Sequence, residues 1–297
     1  MPAVEDAGSG CELRPQDSVS LLAMASPVRR SLKTHLPFPR LHVHVLTVPK
    51  NVRERNAIRL MWRGTASTPV PVNLSFVMCL PNSTESLTKE THEHSDLLFL
   101  ECEEGYLRGL LTLKVVAAMK VWRRAATDSD LFFKVDDDTF IHVSRFLEEV
   151  THYWRLHGGF LYLGVEVEPK ERAGELSKWS EPDDIYKEAK WPRYMAGGPG
   201  YVLGKGLVAR ILDQGLPQKY PVWNEDVAQG VWIQELGRGG VTVQLVNVSG
   251  TEGYGKPPLN YCSGPWRDFN VLLVHLVNYT EMQCLSSLVL RNDANAD

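Results

Sequence analysis

Apolar strands alternate with amphipathic helices along this chain, and that alternation constrains its fold more than any other feature. β-branched and apolar runs predict strands, and apolar residues that recur on one helical face predict helices. The predicted elements of the first half are strands at 41–48, 72–80, 96–101 and 130–135 and helices at 51–62, 105–126 and 143–157. The second half is less regular, with strands at 161–167, 241–248 and 271–274 and helices at 205–214 and 226–236. This pattern predicts an α/β domain with a mixed, mostly parallel sheet flanked by helices, in which ligands bind at the carboxyl ends of strands.

Charge, cysteine content and hydropathy exclude several classes of protein. The formal net charge is −4 and no stretch is dense in Lys and Arg, which argues against a nucleic-acid binder. The five cysteines show no CxxC spacing, so neither a zinc ribbon nor a redox pair is predicted. No apolar run near the start approaches the roughly 20 residues of a membrane span, and no secretory signal is recognisable. Residues 1–40 are rich in Ser, Pro and Gly without periodicity, and we predict a flexible leader there.

An acidic turn follows the predicted strand at 130–135. Asp136, Asp137 and Asp138 stand side by side directly after buried residues. Adjacent carboxylates repel one another and raise their own pKa values unless a cation lies between them. A divalent metal that carries a phosphate group is therefore the predicted partner. The alternative is a solvated turn that caps the next helix, but a single Asp would be enough for that purpose.

Other phosphate-handling motifs do not fit the chain. A phosphatase of the haloacid dehalogenase type would need Thr or Val where Phe140 stands, and its motif would follow the first strand. No Walker loop is present, and the segment from Gly198 to Gly204 does not match the dinucleotide-binding fingerprint. Kinase, GTPase and dehydrogenase functions therefore have no motif to support them.

A series of motifs, in order from about residue 41 to residue 285, resembles one family. The matching segments are Arg55–Trp62, Tyr106 with Leu111–Lys114, Phe133–Phe140, Lys178–Trp179, Tyr194–Leu203, Glu225–Val227, and Val274–His275 with Glu281–Met282. Together they resemble the inverting β-1,3-glycosyltransferases of glycosyltransferase family 31, which use UDP-galactose or UDP-N-acetylglucosamine on a GT-A fold. The resemblance implies a catalytic domain at 41–286 and a C-terminal tail at 287–297.

The resemblance also implies a metal site, with Mn²⁺ as the cofactor. Asp138 is the first candidate ligand, and Asp136 and Asp137 are candidates to hold the ribose or the sugar of the donor. His275, at the end of the apolar run 271–274, is the second candidate ligand. The alternative for His275 is a buried core histidine.

Inverting transfer needs a base that takes the proton of the acceptor hydroxyl. The resemblance assigns this role to Asp226, and Glu225 is a second candidate that could orient the acceptor. Both carboxylates also stand at the start of a predicted helix, where acidic residues cap free N–H groups. We expect such capping to lower the pKa of Asp226, and the two roles are compatible.

Candidate donor-binding residues come from several segments. Arg55 and Arg59 lie four residues apart on one helical face and could reach the diphosphate together, although a solvated helix face is an equal alternative. The further candidates are Lys114, Lys178, Gly197 and Gly198. The glycines would allow close approach of the backbone to donor or acceptor, or simply form a tight turn.

Further motifs bear on the compartment. Four N-glycosylation sequons begin at Asn73, Asn82, Asn247 and Asn278, and they favour a lumenal protein. Cys262 and Cys284 flank the predicted strand of His275 and could pair there. The resemblance implies the Golgi lumen and an N-terminal membrane anchor, although no anchor is recognisable in this sequence.

The sequence therefore predicts a Mn²⁺-dependent hexosyltransferase that moves galactose from UDP-galactose to a glycan or glycoprotein acceptor in β-1,3 linkage. One alternative is transfer of N-acetylglucosamine from UDP-N-acetylglucosamine. Another is a relative that binds a glycan or a nucleotide without catalysis.

Overall fold

The computed structural model describes residues 38–63, 69–81, 87–125, 130–172, 179–248 and 272–293. Its strands are β1 Leu41–Leu46, β2 Val72–Cys79, β3 Leu97–Leu100, β4 Leu131–Asp136, β5 Thr139–Ile141, β6 Leu161–Gly164, β7 Glu166–Val167, β8 Lys170–Glu171, β9 Lys190–Trp191, β10 Tyr194–Met195, β11 Tyr201–Gly204, β12 Gln244–Asn247 and β13 Leu273–His275. Its helices are α1 Val52–Trp62, α2 Thr88–Glu93, α3 Leu110–Ala125, α4 Val143–His157, α5 Lys205–Asp213, α6 Leu216–Lys219, α7 Glu225–Arg238 and α8 Tyr279–Asp293.

Seven strands form one sheet in the order β12-β6-β11-β4-β1-β2-β3. The pairings of β1 with β2 and β4, of β2 with β3 and of β12 with β6 are parallel. Strand β11 runs antiparallel to both β4 and β6. The sheet is therefore mixed and mostly parallel, which confirms the predicted fold class.

Two apolar clusters cover the two faces of this sheet. Val135 belongs to the cluster that contains residues of α1, α4 and α8, and Phe132 belongs to the cluster that contains residues of α3, α5 and α7. Because side chains alternate along a strand, Lys134 and Asp136 project toward the same face as Phe132. The strand that ends in the acidic turn thus directs Lys134 and Asp136 toward α7.

Three smaller ladders lie outside the large sheet, and one of them reaches the acidic turn. Strand β13 runs antiparallel to β5 and pairs His275 with Thr139. Neither β5 nor helices α2 and α8 were predicted from the sequence. Helix α8 also extends past residue 286, so the predicted start of the tail lies within a helix. None of the described helices is long and apolar enough to span a membrane.

A disulfide joins Cys79 to Cys102, next to the carboxyl ends of β2 and β3. This pair was not predicted from the sequence. Cys284 is disulfide-bonded as well, but Cys262 lies outside the described residues, so that pairing stays a prediction.

Candidate active site

The acidic turn lies at the carboxyl end of β4, in the middle of the sheet. The ladder between β5 and β13 brings His275 to this turn, with its Nε2 atom 3.3 Å from Oδ1 of Asp138. Asp136, Asp138 and His275 each offer one ligand atom, and these atoms lie within 4.8 Å of one another. We call these three residues the metal cluster. The structure thus brings together Asp138 and His275, and it adds Asp136, which the sequence analysis had placed with the donor.

The chemistry of the cluster fits a divalent cation. Oδ1 of Asp138 is buried and accepts no hydrogen bond from the described residues. A buried carboxylate oxygen without a donor is costly, and a cation at this point would remove the cost. Carboxylate oxygens and an imidazole nitrogen are suitable ligands for a first-row divalent metal.

Asp137 points to a different part of the same site. Its Oδ2 atom accepts hydrogen bonds from Oγ1 of Thr47 at 2.5 Å and from Nδ2 of Asn51 at 2.9 Å. Burial raises the pKa of Asp137, and the two hydrogen bonds oppose that shift. A cavity of about 260 Å³ opens over the acidic turn, and its lining includes the three aspartates, Thr47, Asn51 and Lys114. We call it the acidic cavity.

Lys114 lies in the wall of this cavity but already has partners. Its Nζ atom donates to both carboxylate oxygens of Glu104 at 2.9 Å and to the carbonyl of Thr47 at 2.8 Å. Burial lowers the pKa of Lys114, although Glu104 opposes that shift. Donor binding by Lys114 stays a prediction, and Lys178 lies outside the described residues.

Lys134 is a buried cation directly behind the metal cluster. Its Nζ atom lies 2.8 Å from Oδ1 of Asp136 and 3.1 Å from Oε2 of Glu225, and it donates to the carbonyl of Gly197 at 2.9 Å. Burial alone would lower the pKa of Lys134, but Asp136 and Glu225 outweigh burial and raise it. Lys134 therefore stays charged and connects β4 to the start of α7. Lys134 lies within the motif at Phe133–Phe140, but no role was predicted for it from the sequence.

Two glycines fill the space between the acidic turn and α7. A Cβ atom on Gly198 would lie 2.0 Å from Cε1 of His275, and one on Gly197 would lie 2.6 Å from Oε2 of Glu225. The carbonyl of Gly198 also accepts a hydrogen bond from Oγ1 of Thr139 at 2.9 Å. A side chain at Gly198 would displace the imidazole of His275, and one at Gly197 would displace the carboxylate of Glu225, which explains why glycine is required at both positions.

Asp226 lies in the first turn of α7 beside these glycines. Its Oδ2 atom accepts a hydrogen bond from the backbone N–H of Gly197 at 3.2 Å, and its Oδ1 atom accepts one from the N–H of Val227 at 2.8 Å. Burial raises the pKa of Asp226 despite these hydrogen bonds. Our expectation of a lowered pKa was therefore wrong, because burial outweighs capping here.

Glu225, the other acidic residue at the start of α7, contacts Tyr201 and Lys134. It is buried, its Oε1 atom accepts a hydrogen bond from the Tyr201 hydroxyl, and its Oε2 atom pairs with Lys134. Burial raises the pKa of Glu225, while Lys134 opposes that shift. Both carboxylate oxygens have partners within the chain, and a catalytic or acceptor-orienting role for Glu225 stays a prediction.

The two arginines also differ from both sequence-based expectations. Arg55 is fully buried, and its Nε and Nη2 atoms donate to Glu90 at 2.8 Å and 2.6 Å. Arg59 is nearly buried and contacts Glu90 at 2.7 Å and both oxygens of Asp96 at 2.7 Å and 2.8 Å. Neither side chain is free to bind a diphosphate, and neither forms a solvated face. We correct the prediction accordingly.

Arg55 nevertheless supports the site from behind. Its Nη1 atom lies 3.4 Å from Oγ1 of Thr47, the hydroxyl that donates to Asp137. Helix α2 supplies Glu90 to hold the guanidinium, and this helix is too short to give a periodic signal. Thr47 and Asn51 were missed for a different reason, because single polar residues after a strand carry no motif of their own.

The sequons fall at exposed positions where they are described. Asn73, Asn247 and Asn278 are exposed, whereas Asn82 lies outside the described residues. Asn278 also caps α8, since its Oδ1 atom accepts hydrogen bonds from the N–H groups of Thr280 and Glu281 at 2.9 Å and 3.0 Å.

Comparisons with known proteins extend this picture. The chain is 29% identical over 205 residues to the hydroxyproline O-galactosyltransferase GALT2 of Arabidopsis thaliana, which covers 67% of this chain and 29% of that protein. It is 27% identical over 248 residues to N-acetyllactosaminide beta-1,3-N-acetylglucosaminyltransferase 4 of Mus musculus, and this match covers 81% of this chain and 67% of that protein. It is 27% identical over 267 residues to beta-1,3-galactosyltransferase 4 of Homo sapiens, and this match covers 75% of this chain and 67% of that protein.

The chain thus spans less than a third of the plant relative's length and about two thirds of each vertebrate relative's length. Among solved structures, a glycosyltransferase involved in the glycosylation of the major capsid of PBCV-1 aligns with a TM-score of 0.43 and 11% identity, over 82% of this chain and 98% of that one. The family model described as Galactosyltransferase matches residues 53–241, a segment that extends from α1 past α7. This chain belongs to the galactosyltransferase family.

Proposed function

We propose that this protein is an inverting hexosyltransferase that moves galactose from UDP-galactose to a hydroxyl group of a glycan acceptor in β-1,3 linkage. One observation carries the proposal: Asp226 and the metal cluster flank the same two glycines. The N–H of Gly197 donates to Asp226, and Gly198 packs against the ring of His275. A carboxylate that would serve as the base and a cluster that would hold the cation therefore lie on either side of one short turn.

Asp136, Asp138 and His275 would hold the cation, for which we propose Mn²⁺. When bound, the cation stabilises the negative charge that develops on the departing diphosphate. Asp137, fixed by Thr47 and Asn51, would orient the ribose or the sugar of the donor. Lys114 and Lys178 remain candidates for the same task.

Asp226 would act as the base in a single displacement. It accepts the proton of the acceptor hydroxyl while that oxygen bonds to the anomeric carbon and the bond from this carbon to the UDP oxygen breaks. Burial raises the pKa of Asp226, which makes it a stronger base than an ordinary aspartate. Attack from the side opposite UDP inverts the anomeric configuration.

Transfer of N-acetylglucosamine from UDP-N-acetylglucosamine is the second candidate. The similarity to the mouse N-acetylglucosaminyltransferase favours it, and that relative covers more of this chain than the plant galactosyltransferase does. The two donors differ at C2 and C4 of the sugar, so a direct comparison of UDP-galactose with UDP-N-acetylglucosamine decides between them.

We also propose that the protein works in the Golgi lumen on glycoprotein glycans. The Cys79–Cys102 disulfide and the exposed sequon residues Asn73, Asn247 and Asn278 support an oxidising, glycosylating compartment. A shift in electrophoretic mobility after N-glycanase treatment, together with co-localisation with a Golgi marker, would test this. Mobility that does not change would contradict it.

The decisive experiment is a transfer assay with both donors, Mn²⁺ and a panel of glycan acceptors, with product linkage and released UDP as readouts. We expect chelation to abolish transfer and Asp226→Asn to lower kcat by roughly 100-fold or more. Asp184→Asn, at an exposed carboxylate, is the matched control. Metal-independent turnover, or an active Asp226→Asn variant, would refute the mechanism. Binding of UDP without transfer or hydrolysis would identify a non-catalytic relative instead.

A further inference from the structure

A second cleft, of about 460 Å³, adjoins the acidic cavity. We call it the aromatic cleft, and its lining residues are Glu104, Gly105, Tyr106, Leu107, Leu110 and Trp179. Three of them, Glu104, Gly105 and Tyr106, also line the acidic cavity. The two spaces therefore share a wall, and a molecule that reaches the acidic turn can extend into the aromatic cleft.

The aromatic cleft exposes large apolar side chains at one place. Tyr106 is 74% exposed, Leu107 66% and Trp179 47%, although residues of these types usually become buried. Single exposed apolar residues are common, but a contiguous group beside a polar site marks a binding surface. The group includes two aromatic rings, which supply much contact area for little loss of conformational entropy.

The lining offers little to a polar ligand. Its only carboxylate, Glu104, accepts hydrogen bonds from Lys114 and, at 2.7 Å, from the backbone N–H of Cys79. Among the side chains that line the cleft, the further polar groups are the Tyr106 hydroxyl and the indole N–H of Trp179. Most hydroxyls of a sugar buried against such a surface would lose their hydrogen bonds to water without replacement. An alkyl or aryl group has no such hydrogen bonds to lose.

Both walls of the aromatic cleft are attached to the start of α7, which carries Asp226. On one wall, the carbonyl of Trp179 accepts a hydrogen bond from Nδ2 of Asn224 at 3.0 Å. On the other, Oγ1 of Thr112, in the helix that follows Tyr106, donates to the carbonyl of Trp223 at 2.8 Å. These two hydrogen bonds therefore fix the position of the cleft relative to Asp226, the base that the acceptor hydroxyl must reach.

We propose that the aromatic cleft binds a hydrophobic aglycone, an alkyl or aryl group attached to the accepting sugar, and selects acceptors by it. The inference rests on the proposed function, because it assumes that the accepting sugar lies between Asp226 and the metal cluster. The aglycone packs against Trp179, Tyr106 and Leu107, and the sugar itself stays outside the cleft. The cleft thus sets acceptor preference without contributing to the transfer step.

The test compares methyl, octyl and benzyl glycosides of the same accepting sugar, with the octyl glycoside kept below its micelle-forming concentration. We expect the KM of the octyl and benzyl glycosides to be at least tenfold below that of the methyl glycoside, with similar kcat. Leu107→Ser and Trp179→Ala should reduce this advantage to less than threefold. Leu60→Ser, at an exposed leucine of α1, is the matched control and should keep the full advantage.

Two results would overturn the proposal. The first is an equal KM for the methyl and octyl glycosides in the wild-type protein. The second is a loss of kcat/KM in Trp179→Ala that is as large for the methyl as for the octyl glycoside, since Trp179 would then contact the sugar itself.

Calorimetry separates this inference from the proposed function. If no glycoside is turned over, binding of the octyl but not the methyl glycoside, lost in Leu107→Ser, would support the cleft and contradict the transferase. If neither glycoside binds, the cleft proposal is wrong. Transfer without an aglycone effect would contradict the cleft alone.

Discussion

Removing the charge of Lys134 should destabilise the fold and reveal how the metal cluster is held to α7. The substitution Lys134→Met keeps a side chain of similar length, so it removes the ammonium group without opening a large cavity. Three contacts are lost, to Asp136, to Glu225 and to the carbonyl of Gly197. Lys134 has no exposed surface, so water cannot replace it.

The size of the loss in the free energy of unfolding depends on how exposed each carboxylate partner of Lys134 is. The Glu225 side chain is only 4% exposed, so it is left as an uncompensated buried charge, and breaking such a pair costs about 3–5 kcal/mol. The Asp136 side chain is 30% exposed and can be rehydrated in part, so its loss adds little. We therefore expect a loss near the lower end, about 3 kcal/mol in the free energy of unfolding.

The loss should depend on pH in a definite direction. Burial already raises the pKa of Glu225, and without Lys134 that pKa rises further. A raised carboxyl pKa means that the folded state binds more protons than the unfolded state, so stability falls as pH rises through the interval between the two pKa values. Lys134→Met should therefore lose less stability at pH 5 than at pH 8.

Urea denaturation followed by circular dichroism measures these free energies. Lys120→Met, at an exposed position on α3, is the matched control. Adding Glu225→Gln to Lys134→Met should recover about 1–2 kcal/mol, because the buried charge is then absent. If Lys134→Met stays within about 1 kcal/mol of Lys120→Met, or the second substitution recovers nothing, the buried-charge argument is wrong.

Three further predictions concern other parts of the site and fold. Gly198→Ala should weaken Mn²⁺ binding by roughly 10-fold or more in calorimetric titration, because its Cβ displaces the imidazole of the metal cluster, whereas Gly237→Ala, with nothing within 4 Å, should not. Replacing Cys79 and Cys102 by Ala should lower the free energy of unfolding by about 3 kcal/mol in urea denaturation, and an unchanged midpoint would contradict this. At saturating Mn²⁺, the acidic limb of kcat/KM should lie above the ordinary aspartate pKa of about 3.9, because burial raises the pKa of Asp226; a limb at or below that value would contradict the assignment.

Local patterns predicted the parallel half of the sheet well. Strands β1 to β4 and helices α1, α3 and α4 lie within a few residues of their predicted bounds. Their apolar residues recur with the period of a strand or a helix, and these are the residues that the folded chain buries. Strand β11 was not predicted, since its four buried residues follow a glycine-rich turn and have no alternating pattern. Its antiparallel insertion between β4 and β6 depends on pairing between distant segments, which a local pattern does not encode.

The candidate site was likewise predicted only where a local pattern was enough, and not where distant segments come into contact. The acidic turn could be located because three carboxylates after a buried strand need a chemical reason. The arginines were misplaced because helical spacing shows which residues share a face but not what lies opposite that face. The partner Glu90 stands 35 residues after Arg55 in a short helix, and only the fold brings the two together.

The ladder between β5 and β13 has a consequence for the synthesis of the protein. Asp136 and Asp138 are made near the middle of the chain, whereas His275 comes 137 residues after Asp138, among the last of the 297 residues. All seven strands of the large sheet precede residue 248, so a chain that ends between residues 248 and 275 contains every strand of that sheet. Such a product would lack α8, whose Met282 and Leu285 are buried in the apolar cluster on one face of the sheet, and it would carry only two of the three residues of the metal cluster.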